Sequence, residues 1–456
     1  MGMRLTAETS AARLVGRLSR AVGRGGGTTL PGKLLWKVDP GALDVLAARL
    51  PAGVAIVSAT NGKTTTSAML ARILGSRYRL AWNNSGANLA SGVASTLLSA
   101  TDADLGLLEV DEFALPEVMR RVKPRVVSLG NLFRDQLDRY GELEHIADRW
   151  RAAAATLPRS AMLVVNADDP LVAELADGRH NALRFGVDDP RLARPTLQHA
   201  ADSKYCVRCG EPYAYAAAYV GHLGDYRCPN CGHARPPLDL AARSIDLQAL
   251  DASVFDLVTP AGTVRVRLPL PGLYNVYNAL AAAASAIALD ASLDEIAAGL
   301  SSFTAAFGRF ERIQAADRGI LMLLIKNPAG ANEAIRTLEE GGVPATLVIA
   351  LNDRIADGRD VSWIWDVDFE PLLDRVERIV ASGERAAELA LRFTYAGFPP
   401  ARLEVIPDLE EALDRGLALV PPGGELGVLP TYTAMLKLRS IAVDRGLVRP
   451  FWEETA

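Results

Sequence analysis

A glycine–lysine–threonine turn constrains the fold of this chain more than any other feature. The apolar run Val54 to Val57 predicts a buried strand, and apolar residues recur at helical spacing from Met69 to Leu74. Between them lies segment 58–66, SATNGKTTT. A strand, a tight loop and a helix N-terminus bind phosphate well, because the first N–H groups of the helix point at the anion. We therefore predict a nucleotide-binding α/β domain.

The residue types of this turn assign roles to individual side chains. Gly62 lets the backbone approach a phosphate, Lys63 adds a point charge, and the Thr64 hydroxyl is placed to ligate Mg²⁺. The general phosphate-loop pattern has a glycine where Val57 stands, so an ordinary strand–helix turn is the alternative. The predicted nucleotide-binding residues of the turn are Thr60, Asn61, Gly62, Lys63, Thr64 and Thr65.

Length and composition exclude several classes of protein. A chain of 456 residues can form two to three domains of roughly 150 residues each. A formal charge of −5 argues against a general nucleic-acid binder. No apolar run approaches the ~20 residues of a membrane span, and residues 1–24 lack a signal-peptide core, so we expect a cytoplasmic protein. Basic residues 1–24 are either a solvated helix or a contact with the inner face of an anionic membrane.

The alternation of apolar runs with helical patterns predicts parallel sheets flanked by helices. We expect a short basic segment at 1–46, a central ATP-binding domain at 47–311 and a Rossmann-like α/β domain at 312–456. In the central domain the predicted strands are 54–58, 105–110, 125–130, 161–166 and 182–187, with strand-like alternation in 243–270. In the second domain they are 320–325, 345–350, 377–381, 402–406 and 425–429.

Acidic residues follow the second predicted strand of the central domain. In open α/β sheets ligands bind at the carboxyl ends of strands, and a carboxylate there suits nucleotide-bound Mg²⁺. Glu109 is the first candidate and Asp111 the second. Simple solvation of a strand end is the alternative. The polar segment 131–140 follows the next strand, again at the strand's carboxyl end.

All four cysteines lie in one window with the spacing Cys-x₂-Cys-x₁₈-Cys-x₂-Cys. Two such knuckles form a tetrahedral thiolate cage, and four thiolates leave no open position for water. We therefore predict a structural zinc ribbon inserted at 205–233, with two disulfides or a redox pair as the alternatives. The predicted zinc ligands are Cys206, Cys209, Cys228 and Cys231. His222 and His233 are interpreted as bystanders.

Three further segments carry polar residues at positions that bear on function. Asn275 and Asn278 share one face at the start of an alanine-rich helix, where they would hold a nucleotide or merely cap the helix. Segment 307–312 is interpreted as a hinge between the two domains. Loop 352–366 concentrates acids, arginines and two tryptophans after a strand, and is either a ligand or partner surface or a solvated loop.

Taken together, these motifs resemble those of the Mur ligase family. The resemblance rests on segment 59–66, Glu109, segment 131–140, the stretch Asn275 to Ala282 and segment 308–311, in the family's order. Within the family, the cysteine ribbon, segment 357–366 and segment 429–435 resemble the synthase subunits that amidate lipid II with a separate glutaminase.

The resemblance implies a reaction and a set of site residues. It implies ATP-dependent amidation of the α-carboxyl of D-glutamate in the lipid II stem peptide, through an acyl phosphate, with ammonia from a GatD-like subunit. It implies ATP·Mg²⁺ held by Lys63, Thr64 and Glu109. It implies nucleotide contacts by Asn275 and Arg309, and an acid, Asp360, lent to the Cys and His of the glutaminase. Other acids of the loop that could serve instead are Asp353, Asp357 and Asp366.

The chain departs from typical Mur ligases at three places. Ala59 replaces a glycine, Gln136 stands where those enzymes have a histidine, and 46 residues are too few for a UDP-binding N-terminal domain. All four cysteines are predicted zinc ligands, which leaves none as a nucleophile, so we expect no cysteine glutaminase within this chain. The alternatives are an amino-acid-adding ligase of the muramyl or folylpolyglutamate kind, and a non-catalytic ATP-binding scaffold.

Overall fold

The computed structural model describes residues 30–83, 86–135, 142–198, 201–304 and 310–449. The strands are β1 (Val54–Ser58), β2 (Leu80–Trp82), β3 (Leu105–Glu109), β4 (Val126–Leu129), β5 (Met162–Asn166), β6 (Ala182–Val187), β7 (Ala214–Val220), β8 (Leu223–Arg227), β9 (Leu240–Gln248), β10 (Ala252–Thr259), β11 (Gly262–Leu268), β12 (Phe310–Ala315), β13 (Arg318–Leu323), β14 (Thr346–Ala350), β15 (Arg378–Ser382), β16 (Leu403–Val405) and β17 (Glu425–Pro430).

Helices connect most of these strands. They are α1 (Leu30–Val38), α2 (Ala42–Ala47), α3 (Lys63–Leu74), α4 (Ala90–Ser99), α5 (Leu115–Val122), α6 (Leu143–Ala155), α7 (Pro170–Ala173), α8 (Leu273–Ile287), α9 (Leu293–Ser301), α10 (Pro328–Gly341), α11 (Glu370–Leu373), α12 (Ala386–Tyr395), α13 (Leu409–Leu419) and α14 (Tyr432–Asp444). Short 3₁₀ turns cover Glu174–Ala176, Pro190–Leu192, Ser362–Asp366 and Pro400–Arg402.

The first unit is built on a nine-stranded sheet in the order β11-β10-β9-β6-β5-β4-β1-β3-β2. Strands β2 to β9 of this order run parallel, whereas β9, β10 and β11 pair antiparallel. Every residue of β1, β3 and β4 is buried, as expected for parallel strands covered by helices on both faces. The predicted parallel sheet is therefore confirmed for its central strands, and the whole sheet is mixed.

The second unit is a six-stranded sheet in the order β12-β13-β17-β14-β15-β16. All neighbours pair in parallel except β12 and β13, which form an antiparallel hairpin at one edge. Each strand predicted for this region is present within two residues of its expected bounds. The α/β character expected from the alternating pattern is confirmed in both units.

Residues 30–47 add structure that the sequence pattern did not assign. Helices α1 and α2 bury Leu35 and Leu43 in the core of the first unit. The Gly32 N–H donates to Ser95 Oγ at 2.9 Å, and a Cβ at Gly32 would lie 1.9 Å from the Ser91 carbonyl oxygen. This close approach of α1 to α4 explains why only glycine fits at position 32.

Several sequence-based predictions fall outside the described residues. They concern basic segment 1–24, Gln136 and Arg309, together with residues 307–309 of the predicted hinge 307–312. Residues 310–312 of that predicted hinge begin strand β12 instead. Among the described residues, no helix is both long and apolar enough to cross a membrane.

Candidate active site

The candidate site lies where three adjacent strands of the first sheet end. Strand β1 pairs in parallel with β3 on one side and with β4 on the other. The phosphate-binding turn, Glu109 and Asn131 follow these three strands, so their carboxyl ends bring them to one edge. Residues from both units line a cavity of about 330 Å³ at this edge, including Gly62, Glu109 and Glu333.

The turn before α3 has the backbone of a phosphate loop. Gly62 precedes the first helical residue and has a φ of 85°, in the left-handed region. A Cβ at this position would lie 1.9 Å from Asn278 Oδ1, so Gly62 is required both for its conformation and for space. The Thr66 hydroxyl donates to the same oxygen at 3.4 Å. Asn278 therefore supports the turn from the neighbouring helix α8.

The loop after β4 holds the turn from the other side. Asn131 Oδ1 accepts from the Asn61 N–H at 2.9 Å, and Asn131 Nδ2 donates to the Asn61 carbonyl at 3.0 Å. The Thr60 hydroxyl accepts from the Phe133 N–H at 3.1 Å. These contacts fix the main chain of the loop before any ligand binds, which lowers the cost of ordering it.

Lys63 is already engaged in an ion pair. Its Nζ lies 2.8 Å from Glu112 Oε2 and donates to the carbonyl oxygens of Ala59 and Thr60 at 2.6 and 3.3 Å. Both side chains of the pair are buried, with 8% and 5% of their surface exposed. A phosphate entering the loop would therefore compete with Glu112 for the Lys63 charge.

Glu109 and Thr64 form a site that fits a hard cation. The Thr64 hydroxyl donates to Glu109 Oε1 at 3.1 Å, and Asn88 Nδ2 donates to the same oxygen at 3.3 Å. Within the described residues, the second oxygen, Oε2, is buried and has no hydrogen-bond partner. An orphaned buried carboxylate oxygen beside a hydroxyl matches the oxygen ligands that Mg²⁺ prefers. The Asn83 side chain donates to the Glu109 carbonyl and accepts from the Glu109 N–H, both at 2.8 Å. These two bonds fix the main chain that carries the carboxylate.

Asn275 lines the cavity next to Asn278. Its Oδ1 accepts from Asn278 Nδ2 at 3.1 Å, and its Nδ2 donates to the Pro271 carbonyl at 2.7 Å. Both asparagines are buried and line the cavity. Asn275 thus shares one face of α8 with the residue that supports the phosphate turn. Its predicted contact with a nucleotide stays a prediction.

The second unit closes the cavity through the start of α10. Asn327 and Asn61 exchange two amide hydrogen bonds, of 3.0 and 3.3 Å, across the boundary between the units. Asn327 also caps α10 by accepting from the Gly330 N–H at 2.9 Å. Next to it, Lys326 forms an ion pair with Asp135 of the first unit. The phosphate turn is therefore tied to both units.

The acids of loop 352–366 have different environments. Asp357 is buried and accepts from the Thr433 N–H and hydroxyl at 2.8 and 2.5 Å; burial raises the pKa of its carboxyl. Asp353 pairs with Arg385 at 2.9 Å, and Asp366 lies 3.5 Å from Arg134. Asp360 is exposed, and its Oδ1 accepts from the Ser362 N–H at 2.8 Å.

The four cysteines meet in a compact cluster away from this cavity. Their Sγ atoms all lie within 4.8 Å of one another, and none is in a disulfide. A tetrahedral zinc site, with Zn–S bonds of about 2.3 Å, separates its sulfurs by roughly 3.8 Å. Gly210 and Gly232 each have a φ of 76°, as a tight turn behind each knuckle requires. The arrangement fits a metal ion held by four cysteine thiolates.

Sequence reasoning missed several residues of the site. No sequence pattern marks Glu112, which pairs with Lys63, or Asn83, which bonds the main chain of Glu109. Asn327 did carry a signal, because an asparagine before a proline is typical of a helix start. Its contact with Asn61 joins positions 266 residues apart, which no local pattern encodes.

Comparison with known proteins identifies two family regions. Residues 57–231 match the Mur ligase middle domain, and residues 324–435 match the MurT ligase C-terminal domain. The lipid II isoglutaminyl synthase (glutamine-hydrolysing) subunit MurT of Streptococcus pneumoniae is 34% identical over 451 residues, which cover 97% of this chain and 98% of that protein. The subunit of the same name from Staphylococcus aureus strain N315 is 33% identical over 84% of this chain and 86% of its own length.

Solved structures show the same fold at lower sequence identity. A pseudomurein peptide ligase type C from Methanothermus fervidus superposes with a TM-score of 0.70 and 23% identity. The match covers 88% of this chain and 80% of that one. This likeness supports the arrangement of the two sheets described above.

Replacing Gly62 with alanine should weaken nucleotide binding. The left-handed conformation costs a residue with a Cβ roughly 1–2 kcal/mol, and the Cβ would also displace Asn278. We expect ATP·Mg²⁺ affinity, measured by calorimetry, to fall by at least about tenfold. Gly178→Ala is the matched control, since Gly178 has a φ of 66° with nothing within 4 Å of a Cβ. Equal affinities in the two variants would show that the turn does not bind the nucleotide.

Proposed function

This chain belongs to the MurT family of Mur ligase-type, ATP-dependent ligases, and on that premise we propose that it amidates lipid II. The proposed reaction converts the α-carboxyl of D-glutamate in the stem peptide to the amide, giving D-isoglutamine. The observation that carries the proposal is the shared cavity, where the phosphate turn and the Glu109 carboxylate face the second unit. The two MurT relatives, which cover 97% and 84% of this chain, support the same assignment.

The chemistry explains why ATP is needed. A carboxylate does not react with ammonia, because the leaving group would be an oxide. Attack of a carboxylate oxygen on the γ-phosphorus of ATP releases ADP and forms an acyl phosphate. Ammonia then attacks the acyl carbon, phosphate leaves, and the nitrogen loses a proton. Catalysis of such a transfer is mainly positioning and charge stabilisation.

The residues of the turn provide the positioning. The N–H groups at the start of α3 and the Lys63 ammonium would hold the phosphates, with Thr60, Asn61 and Thr65 shaping the loop around them. Thr64 and Glu109 would hold Mg²⁺, which supplies charge neutralisation on the transferring phosphoryl group. Asn275 lines the wall where the rest of the nucleotide would lie, and we propose Arg309 as a further nucleotide contact.

The nitrogen must come from outside this chain. Hydrolysis of glutamine commonly uses a cysteine nucleophile, and all four cysteines of this sequence lie in the Cys₄ cluster. The MurT relatives are named as subunits of a glutamine-hydrolysing synthase. We therefore propose a separate GatD-like glutaminase as the partner. Because lipid II is anchored in a membrane, the complex would work at the cytoplasmic face of that membrane.

Loop 352–366 is the proposed contact with the glutaminase. Asp360 is exposed, whereas Asp353 and Asp357 are held by partners within the unit. Trp365 of the same loop, with 45% of its surface exposed, and Tyr395, with 75%, have ring centroids 5.6 Å apart. A loop that carries an exposed acid and an exposed aromatic side chain suits a protein interface. We propose that Asp360 orients the histidine of the partner's active site.

The Cys₄ cluster is proposed to hold a structural zinc ion. Its position outside the cavity and its four thiolates leave no role in the chemistry of the phosphate turn. His233 is a bystander in this proposal, because its Nδ1 is 2.6 Å from the Tyr213 hydroxyl and its Nε2 is 3.2 Å from Glu174 Oε2.

The direct test is mass spectrometry of lipid II incubated with this protein, ATP·Mg²⁺ and ammonium. We expect a carboxyl-to-amide mass change on the glutamate, because the ammonium salt replaces the glutaminase. Lys63→Ala should remove the change, since the transferring phosphoryl group loses its cation. The experiment is then repeated with a glutaminase partner and glutamine. If the mass of lipid II stays unchanged in both experiments, an amino-acid ligase or a scaffold is favoured instead.

Substituting Asp360 should separate the two nitrogen sources. We expect Asp360→Asn to abolish glutamine-dependent amidation and to leave ammonium-dependent amidation within about twofold, because the acid serves only the partner. Asp374→Asn, at an exposed position of the same unit, is the control and should keep both activities. Equal loss with both nitrogen sources would mean that Asp360 serves the ATP chemistry.

Removing zinc should destabilise the protein before it alters its chemistry. We expect elemental analysis to find zinc in freshly purified protein, and chelation to lower the thermal unfolding temperature by several degrees. Cys228→Ser should do the same, because Cys228 is fully buried in the cluster. As a control, adding zinc to the chelated wild-type protein should restore its stability, whereas adding magnesium should not. Purified protein without zinc would refute the assignment.

A further inference from the structure

The hairpin of β7 and β8 reaches from the cysteine cluster to the cavity of the candidate active site. It is a separate two-stranded sheet that carries the cysteine cluster near its base. At the opposite end, Val220 and Leu223 flank the turn and line the same cavity as the phosphate loop. The hairpin tip is therefore a wall of the candidate active site.

The tip is anchored to the loop that supports the phosphate turn. The buried His222 ring lies 4.6 Å from the Phe133 ring, and its Nε2 is 3.4 Å from Asp169 Oδ2. The same Asp169 oxygen accepts from the Leu132 N–H at 2.8 Å. A Cβ at Gly221 would lie 2.7 Å from Phe133, so the turn and the loop are in tight contact.

The hairpin is also anchored to α10 of the second unit. Arg336 Nη1 donates to the Tyr219 carbonyl at 2.9 Å, and only 12% of the Arg336 side chain is exposed. Arg194 runs alongside β7, where its N–H donates to the Ala218 carbonyl at 2.7 Å. Its guanidinium lies 3.5 Å from Glu333 Oε1 on α10. Two arginines thus join the ribbon to one helix.

The charges at this junction are mutually dependent. The Glu333 side chain is 5% exposed, and burial raises the pKa of its carboxyl, while the cations of Arg336 and Arg194 act in the opposite direction. A buried carboxylate keeps its charge only with such partners, so loss of one arginine should loosen the contact.

Helix α10 connects this junction to the nucleotide loop. It begins at Pro328, directly after Asn327, whose amide pairs with Asn61 of the phosphate turn. Glu333 and Arg336 lie in the next two turns of the same helix. A helix is stiff over this length, so fixing its middle fixes its first turn.

We propose that the β7–β8 hairpin is a positioning element of the active site, which through Arg194, Glu333 and Arg336 holds α10 and thereby the Asn327–Asn61 contact across the cavity. The ribbon then sets the position of the second unit over the phosphate turn. The effect of the hairpin on enzyme kinetics rests on the proposed amidation, whereas its effect on the position of α10 does not.

The test compares Arg336→Ala, Arg336→Lys and the control Arg415→Ala in the full-length chain with its glutaminase partner. Arg415 pairs with Glu404 on the surface of the same unit. Hydrogen exchange of residues 328–341 and kcat/KM for ATP are measured together. We expect Arg336→Ala to speed exchange in α10 and to lower kcat/KM by at least about tenfold. Arg336→Lys, which keeps a positive charge near Glu333, should recover part of both effects, and Arg415→Ala should show neither.

Two outcomes would overturn the proposal. One is unchanged exchange of α10 in Arg336→Ala, which would mean that the hairpin does not hold the helix. The other is faster exchange with an unchanged kcat/KM, which would leave the contact merely structural. Wild-type protein without amidating activity would refute the proposed function, while the exchange measurement would still decide whether the hairpin holds α10.

Discussion

The adjacency of three parallel strands, β3, β1 and β4, is the constraint on which the rest of this structure depends. Each strand is buried along its whole length, and the one charged residue in the three strands, Glu109, is the last residue of β3. At the carboxyl ends the chain leaves the sheet with the phosphate turn, Glu109 and Asn131 side by side. Asn131 binds the main chain of the turn, and Glu109 bonds the Thr64 hydroxyl. The topology thus assembles the site from segments far apart in sequence.

The loops of the site are held in place by hydrogen bonds, but its charged side chains are not arranged around a ligand. Lys63 is neutralised by Glu112, which satisfies a buried ammonium, whereas Glu109 retains a buried oxygen without a partner among the described residues. A magnesium-bound nucleotide would reverse this state by supplying a cation to Glu109 and phosphates to Lys63. The paired amides of Asn61 and Asn327 keep the second unit against the turn. Binding therefore requires an exchange of partners at Lys63 more than a new arrangement of the loop.

Much of the fold could be predicted from the sequence because its buried strands are short apolar runs between turn signals. The position of acids such as Glu109 could also be predicted, because a residue at the carboxyl end of a recognised parallel strand lies at the ligand-binding edge of the sheet. Glu112 was not, because its pairing with Lys63 depends on how two loops pack. The sequence pattern does not assign helices α1 and α2, and it does not distinguish the antiparallel extension by β10 and β11 from the parallel strands. The hairpin contact with α10 depends on tertiary distances that no spacing encodes.

The central claim is that this site activates a carboxylate by phosphorylation, and isotope transfer tests it most directly. Lipid II labelled with oxygen-18 in the α-carboxyl of D-glutamate would be incubated with the protein, ATP·Mg²⁺ and ammonium. If an acyl phosphate forms, one labelled oxygen leaves with the phosphate, so the inorganic phosphate should carry a single oxygen-18 for each amide made. Amidated product accompanied by unlabelled phosphate would contradict the account.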